Sequence, residues 1–198
     1  MRLVADNIAC VRGGRQVFAG VSFSVAAGDA LVVSGPNGAG KSSLLRMIAG
    51  LVRLAAGRLA LQHGSEASIG EQAHYLGHVD AVKPALTVQE NLRFWAGYLG
   101  GKGDVAGALD TLGLGRLGDL PAGCLSAGQK RRLSIARLVA VERPIWLLDE
   151  PASALDSNAQ TTLAELMHAH LRNGGMIVAA SHGPIGLDNT RALQLGTA

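Results

Sequence analysis

The sequence has few aromatic residues, few cysteines and no long uncharged apolar run. Aromatic residues make up 4% of the chain, which is too few for a protein that binds single-stranded nucleic acid by base stacking. Cys10 and Cys124 lie far apart in the sequence and form no C-x-x-C pair. We therefore expect two reduced thiols and no disulfide.

The sequence also lacks the segments that would place the chain in or across a membrane. No stretch reaches the roughly 18 consecutive apolar residues that a spanning helix needs, and Asp6 comes too early for a signal peptide. The net charge of +3, mostly from arginine, suits a nucleotide site or an anionic surface but is too small and dispersed to indicate nucleic-acid binding. We expect a soluble chain that reaches a membrane only through a partner.

What the chain does have is a regular alternation of strands and helices. Its 198 residues, 48% of them apolar, are enough for one α/β domain with a substantial core. Residues 2–11, 17–25 and 58–62 are predicted to form a small antiparallel sheet. The buried strands of a mostly parallel sheet are predicted at 30–33, 73–77, 145–148, 176–180 and 191–195.

A helical segment interrupts this alternation. Thr87 and Glu90 have the spacing of a capping box, which predicts a helix start at that point. A second helix is predicted at about 104–114, after several glycines. We interpret residues 83–140 as a helical subdomain inserted into a single domain that spans residues 1–198.

The most informative stretch is a glycine-rich loop between a predicted strand and a predicted helix. It matches G-x-x-x-x-G-K-[ST], the pattern of a loop that surrounds a nucleotide's phosphates. Its residues are Gly35, Pro36, Asn37, Gly38, Ala39, Gly40, Lys41 and Ser42, and the predicted helix begins at Ser43 and ends at Ala49. Backbone N–H groups and Lys41 would contact the phosphates, and the Ser42 hydroxyl would hold Mg²⁺.

Two acids follow the apolar run of residues 145–148. Carboxylates at the carboxyl end of a parallel strand lie where such sheets bind ligands. We predict that Asp149 holds Mg²⁺, directly or through water, and that Glu150 takes the proton from the attacking water. His182, which follows the strand predicted at 176–180, would lie at the same edge of the sheet.

A second helix start with phosphate-binding features lies within the helical subdomain. Its residues are Leu125, Ser126, Ala127, Gly128 and Gln129. Ser126 is a good N-cap, and Gly128 would let another backbone approach closely. From these residues alone, an ordinary capped helix explains the pattern equally well.

Taken in order, these motifs resemble those of the ATP-binding cassette ATPases over nearly the whole chain. Gly35–Ser42 resembles the Walker A loop, Ile145–Asp149 the Walker B strand, and Leu125–Gln129 the signature motif, with Ala127 in place of its first glycine. Glu150 falls at the position of the catalytic glutamate and His182 at that of the switch histidine. Ser153–Asp156 resembles the D-loop.

The resemblance implies a P-loop NTPase fold of the ABC type, with ATP and Mg²⁺ as the bound groups. It further implies that two copies sandwich ATP, with the phosphate loop of one facing the signature of the other. Integral-membrane permease subunits would dock on the helical subdomain around residues 79–90. The chain would then be peripheral, at the cytoplasmic face of the inner membrane.

Within this family the sequence is most similar to the ATP-binding subunits of the haem exporter of cytochrome c biogenesis. The similarity lies in residues 75–78, 83–95 and 125–132 and in the short length. It implies a role in haem export, with haem handled by the partners and not bound directly by this chain. No C-x-x-C-H sequence is present for covalent haem attachment.

Two positions depart from the family's pattern. Val79 stands where the family has a glutamine that touches Mg²⁺, and a valine cannot ligate a cation. The aromatic residue that stacks on adenine is replaced by Arg12, whose planar guanidinium could also stack on a base. Phe18 is the alternative candidate for this contact.

Other functions remain compatible with parts of the sequence. The chain could be a nucleotide-gated assembly module with little hydrolysis, which Val79 favours, or the ATPase of another exporter. A soluble cassette ATPase acting on nucleic acid is disfavoured because only one set of motifs is present. A small GTPase is disfavoured because the guanine-reading sequence Asn-Lys-x-Asp does not occur.

Overall fold

The computed structural model describes residues 1–101 and 103–196, so Lys102, within the predicted helical subdomain, and Thr197 and Ala198 lie outside the described residues. The chain forms two compact units. The first, called the sheet unit here, comprises Met1–Gly77, Pro144–Pro151 and the chain from Met167 onward. The second, called the helical unit, comprises His78–Arg143 and Ala152–Leu166.

Eight strands and five α-helices make up the regular structure of the described residues. The strands are β1 (Arg2–Arg12), β2 (Arg15–Ala26), β3 (Ala30–Ser34), β4 (Ala56–Gln62), β5 (Ala73–Leu76), β6 (Ile145–Asp149), β7 (Met176–Ala180) and β8 (Arg191–Gln194). The helices are α1 (Lys41–Ile48), α2 (Val88–Tyr98), α3 (Val105–Thr111), α4 (Ala127–Ala140) and α5 (Ser157–Arg172). Short 3₁₀ turns at Gly115–Leu117 and Ala122–Cys124 were not predicted.

The sheet unit contains a three-stranded antiparallel sheet in the order β2-β1-β4. Gly13 and Gly14 connect β1 to β2, and both have positive φ, which glycine adopts without steric cost. The pairing of β1 and β2 begins with Arg2 opposite Ala26 and ends with Arg12 opposite Arg15. The predicted antiparallel sheet is therefore confirmed, with all three strands longer than expected.

The same unit contains a five-stranded sheet in the order β5-β6-β7-β3-β8, and all of its neighbouring strands are parallel. Every residue of β6 and β7 is buried, as expected for strands covered on both faces. Because all of these strands run in the same direction, their carboxyl ends meet at one edge, although the strands come from distant parts of the chain. The predicted α/β fold with a mostly parallel sheet is confirmed.

The main core lies between one face of the parallel sheet, helix α1 and the antiparallel sheet. Leu44, Leu45 and Ile48 of α1 are almost completely buried, together with Ile145 and Leu147 of β6. Each such side chain contributes about 1.5–3 kcal/mol on burial. On the opposite face of β6, the Trp146 ring stacks on His170 at a centroid distance of 4.0 Å, and burial lowers the pKa of His170.

In the helical unit, α2, α3 and α4 pack on one another. The predicted capping box of α2 is present: Thr87 Oγ1 accepts from the Glu90 N–H, and Glu90 accepts from the Thr87 N–H. Helix α3 is shorter than predicted and is capped by Asp104, whose carboxylate accepts from the Gly107 N–H.

The helical unit buries charged side chains among its helices. The Arg131 guanidinium, 3% exposed, lies 3.1 Å from an Asp80 carboxylate oxygen. Ser134 Oγ donates to the Asp80 carbonyl at 2.6 Å. Arg137 lies over the Trp95 ring with its Cζ 4.6 Å from the centroid, and burial lowers its pKa to about 10, so it stays charged at neutral pH.

Candidate functional site

The phosphate-loop residues lie between β3 and α1, at the carboxyl end of the parallel sheet. Gly35, Gly38 and Gly40 have φ of 140°, 85° and 99°, values that L side chains rarely adopt. A Cβ on Gly35 would lie against the Leu195 carbonyl oxygen, and one on Gly40 would lie 2.8 Å from the Phe18 ring. Glycine is therefore required at both positions by backbone conformation and by space.

Lys41 is buried at the start of α1, where its ammonium lies over the loop. Its Nζ donates to the Gly35 carbonyl at 2.7 Å and to the Pro36 carbonyl at 3.1 Å. Gly40 in the left-handed conformation is the N-cap, so α1 starts at Lys41, two residues before the predicted start. Lys41 and Ser42 thus belong to the first turn, where N–H groups and the helix dipole favour an anion.

Ser42 and Asp149 provide two oxygen atoms at the same place. The Ser42 hydroxyl donates to Asp149 Oδ1 at 3.1 Å, and the Asp149 side chain is 3% exposed. No group of three or more His, Cys, Asp or Glu side chains among the described residues could hold a metal alone. One carboxylate, one hydroxyl and the phosphates of a nucleotide fit Mg²⁺, which is commonly held by one or two carboxylates together with substrate phosphates.

Two further residues, which the sequence reasoning did not identify, connect to Asp149. Arg46 Nε donates to the Tyr75 hydroxyl oxygen at 3.1 Å, and the Tyr75 phenol lies close enough to the Asp149 carboxylate for the carboxylate to influence its pKa. Burial, and to a smaller degree the Asp149 charge, raises the pKa of Tyr75, so the phenol keeps its proton at neutral pH. The sequence spacing could have indicated Arg46, because this residue follows Ser42 by four positions and so lies on the same helix face.

Glu150 and His182 lie together at the ends of β6 and β7. His182 Nε2 is 3.8 Å from Glu150 Oε1, and both side chains are partly exposed. Glu150 has φ of 48°, an uncommon conformation for a residue other than glycine. Its N–H donates to the Ala180 carbonyl at 2.9 Å, which links the two strand ends. Strain of this kind is concentrated at functional sites.

Phe18, Arg12 and Val79, which concern the two departures from the family pattern, differ in their exposure to solvent. Phe18 is 8% exposed and belongs to the main core, so its ring packs under the loop at Gly40. Arg12 is exposed at the end of β1. Val79 is 78% exposed in the helical unit, and its side chain contains no oxygen that could ligate a cation. Of the two candidates for stacking on a base, Arg12 is the one whose side chain is open to solvent.

The five signature-like residues form the start of α4 in the helical unit. Ser126 Oγ accepts from the Gln129 N–H at 3.2 Å, and Gln129 Oε1 accepts from the Ser126 N–H at 2.8 Å. Leu125 is buried and anchors the turn, whereas Ser126 and Ala127 are exposed. A Cβ on Gly128 would lie 2.9 Å from the Ala154 carbonyl oxygen, so glycine permits a close backbone approach. The arrangement leaves a capped helix N-terminus open to solvent.

Comparison with known proteins extends these observations. A family model described as ABC transporter matches residues 18–153. Proteins named cytochrome c biogenesis ATP-binding export protein CcmA are similar over the full length. The one from Nitrobacter winogradskyi is 54% identical over 200 residues, covering 100% of both chains, and that from Rhodopseudomonas palustris (strain BisB18) is 58% identical with the same coverage.

Solved structures share the fold at lower identity. The structure of an ATP-binding subunit of an ABC transporter superimposes with a TM-score of 0.87 at 24% identity, covering 98% of this chain and 86% of that one. A bacterial Atm1-family ABC exporter with ATP bound gives a TM-score of 0.82 at 23% identity, covering 98% of this chain and 37% of that one. None of the helices in residues 1–101 and 103–196 combines the length and apolar character of a membrane span.

Proposed function

Because the chain belongs to the ABC transporter family, we propose that it is the ATP-hydrolysing subunit of an export complex for cytochrome c biogenesis. The proposal takes its pathway from the full-length relatives, whose names give cytochrome c biogenesis and export. We assign haem as the cargo, and integral-membrane partners would carry or handle it. The chain would then lie at the cytoplasmic face of the inner membrane.

The observation that carries the proposal is the cluster at the carboxyl ends of β3, β6 and β7. Lys41 lies over the phosphate loop, Ser42 donates to Asp149, and Glu150 lies beside His182. These side chains come from three separate segments of the sequence, and the parallel sheet brings them to one edge. Such an arrangement suits a nucleoside triphosphate bound with a divalent cation.

Each residue has a distinct task in the proposed hydrolysis. The loop N–H groups and Lys41 hold the β- and γ-phosphates and stabilise the negative charge that develops there. Ser42 and Asp149 would hold Mg²⁺, which supplies charge neutralisation between the phosphates. Glu150 accepts a proton from the attacking water, and His182 Nε2 donates a hydrogen bond to the γ-phosphate as the bond to the β-phosphate breaks.

The signature-like start of α4 acts in a second copy of the chain. Ser126 and the open N–H groups of α4 would contact the γ-phosphate bound at Lys41 of the other copy, with Gly128 permitting close approach. ATP then lies between two copies and holds them together. After hydrolysis, the separated phosphate and ADP no longer bridge the copies, and the resulting opening moves the permease partners.

A nucleotide-gated module with little hydrolysis is the second candidate. It is favoured by Val79, whose exposed apolar side chain replaces a cation-binding amide. In this alternative, ATP binding drives assembly and product release is rare. Measurement of phosphate release by the purified complex separates the two candidates, because a module would bind ATP tightly and release almost no phosphate.

The first test is nucleotide binding by the purified chain with ATP and Mg²⁺. We expect tight binding that Lys41→Ala lowers by at least about tenfold, because the variant loses the cation that pairs with the outer phosphates. Arg53→Ala is the matched control, since it removes one positive charge from an exposed position of the same unit. Equal binding by wild type and Lys41→Ala would contradict the proposal.

The second test concerns the pathway. Deletion of the gene in the organism that carries it should abolish haem-stained c-type cytochromes, and expression of the wild-type chain should restore them. The Lys41→Ala chain should fail to restore them, whereas Arg53→Ala should succeed. Normal cytochrome maturation in the deletion strain would remove cytochrome c biogenesis from the proposal and leave the ATPase assignment standing.

A further inference from the structure

We propose that Tyr75 is a positioning residue for the Mg²⁺-binding carboxylate of Asp149, and that Arg46 holds the Tyr75 hydroxyl in place. This inference rests on the proposed function, since it concerns how the nucleotide's cation is bound. It assigns roles to two residues for which the sequence analysis gave none. Its basis is the chain of contacts from Arg46 through Tyr75 to Asp149 and Ser42.

Strand register explains why Tyr75 and Asp149 meet. Tyr75 of β5 lies opposite Leu147 of β6 in the parallel ladder. Asp149 follows Leu147 by two residues, so Tyr75, Leu147 and Asp149 point to the same face of the sheet. A diagonal separation of this kind is within reach of an aromatic side chain.

Helix α1 completes the arrangement from above that face. Ser42 and Arg46 are four residues apart and therefore lie on the same side of α1. Ser42 reaches Asp149, and Arg46 reaches Tyr75, at 3.1 Å in each case. The helix and the two strands thus bring four side chains together, with Ser42 hydrogen-bonded to Asp149 and Arg46 hydrogen-bonded to Tyr75.

The count of donors determines the direction of each hydrogen bond. The Arg46 guanidinium can only donate, so the Tyr75 oxygen accepts from it. The phenol has one proton of its own, and an ionised carboxylate can only accept, so a hydrogen bond between the two would run from Tyr75 to Asp149. The positive charge on Arg46 polarises the phenol, which strengthens its donation to the carboxylate.

The backbone also keeps the Tyr75 ring in place. A Cβ on Gly77 would lie 3.1 Å from the Tyr75 hydroxyl oxygen and 3.1 Å from a ring carbon. The chain therefore passes closely over the ring at Gly77, where a larger residue would push the phenol away. A ring confined in this way gives the carboxylate a single preferred orientation.

The consequence for function is selectivity for the Mg²⁺-bound form of the nucleotide. Loop N–H groups and Lys41 contact phosphates whether or not a cation is present. Asp149 matters mainly when the cation is bound, and groups that orient a metal ligand typically change metal affinity by about 10–100-fold when removed. Loss of the Tyr75 hydroxyl should therefore weaken nucleotide binding only in the presence of Mg²⁺.

The experiment measures binding of a fluorescent ATP analogue with excess Mg²⁺ and, separately, with EDTA. For Tyr75→Phe, we expect the dissociation constant with Mg²⁺ to rise about tenfold and that with EDTA to stay unchanged. A titration with Mg²⁺ at fixed nucleotide should show the half-saturating concentration rising by the same factor. Tyr98→Phe, which removes an exposed hydroxyl in the helical unit, is the matched control and should change neither value.

Arg46→Gln provides a second variant at an exposed side chain. We expect a smaller loss, of about threefold, again only with Mg²⁺, and no further loss when it is combined with Tyr75→Phe. If Tyr75→Phe does not fold, Arg46→Gln decides the question by the same criterion.

Wild-type affinity in these variants, or equal losses with Mg²⁺ and with EDTA, would overturn the inference. Failure of the wild-type chain to bind nucleotide in either condition would instead overturn the proposed function.

Discussion

The sheet unit and the helical unit position their polar residues by different means. In the sheet unit, Ser42, Asp149 and His182 are far apart in sequence and meet because parallel strands end at one edge. In the helical unit, residues 125–129 are contiguous and are held by a capping box that they form themselves. A site assembled by a sheet depends on the whole fold, whereas a helix start depends mainly on local hydrogen bonds.

The two units also differ in where their paired charged side chains lie. In the helical unit, Arg131 is almost completely buried against Asp80, and Arg137 is buried over Trp95 with a lowered pKa. In the sheet unit, the pair of Arg191 and Asp29 is exposed, with 3.8 Å between its charged atoms. The buried charged side chains of the helical unit therefore stabilise its packing. In the sheet unit, the buried charged side chains Lys41 and Asp149 lie in the candidate site.

The largest expected effect tests the sheet unit. Glu150→Gln should lower the ATPase rate by about 10²–10⁴-fold, because the amide cannot accept the proton from water. ATP binding should be retained, since Glu150 is not part of the candidate phosphate loop. Steady-state phosphate release and nucleotide binding measure the two quantities. Glu66→Gln at an exposed position is the control, and an unchanged rate in Glu150→Gln would disprove its role as the base.

A smaller effect sharpens the contrast in buried charge. Asp80→Asn should lower the free energy of unfolding by about 2 kcal/mol, because a buried guanidinium loses its charged partner. Asp29→Asn, the corresponding change in the exposed pair, should cost less than about 0.5 kcal/mol. Urea denaturation of both variants gives the comparison. Equal costs would show that the two units do not differ in this respect.

A change at the start of α4 should have a smaller effect on stability than Asp80→Asn. Ser126→Ala should cost about 1 kcal/mol, through loss of the N-cap. Thr87→Ala removes the same kind of cap from α2 and should cost a similar amount. Only Ser126→Ala should also abolish ATP-dependent dimer formation, measured by size-exclusion chromatography in the hydrolysis-deficient Glu150→Gln background. If both variants lose dimer formation, loss of stability alone would explain the effect of Ser126→Ala.

Local motifs were predicted well because they depend on neighbouring residues. The strand–loop–helix around residues 35–42, the capping box at Thr87 and the N-cap at Ser126 follow from side chains a few residues apart. Strand β7 has the predicted bounds, since its continuous apolar run marks it clearly. Helix α1 starts two residues earlier than predicted because Lys41 and Ser42 belong to both the loop and the first helical turn.

The contacts of Tyr75 show where prediction from sequence stopped. No local pattern relates Tyr75 to Asp149, since their separation of 74 positions has no period or spacing. Their meeting follows from β5 pairing with β6 in one register, and a shift of one residue would turn Tyr75 to the other face. The burial of Phe18 was likewise decided by how β2 packs against the loop.

The amino-acid sequence alone indicated the family, through the order of its motifs, and predicted the α/β fold class and the candidate phosphate loop. The fold class and the loop follow from glycine conformational freedom, helix capping and apolar periodicity, all of which act over short distances along the chain. Only the tertiary structure decided which side chains share the site, because strand order and register bring distant segments together. The geometry of Asp149, Tyr75 and Arg46 exists only once the sheet and α1 have packed.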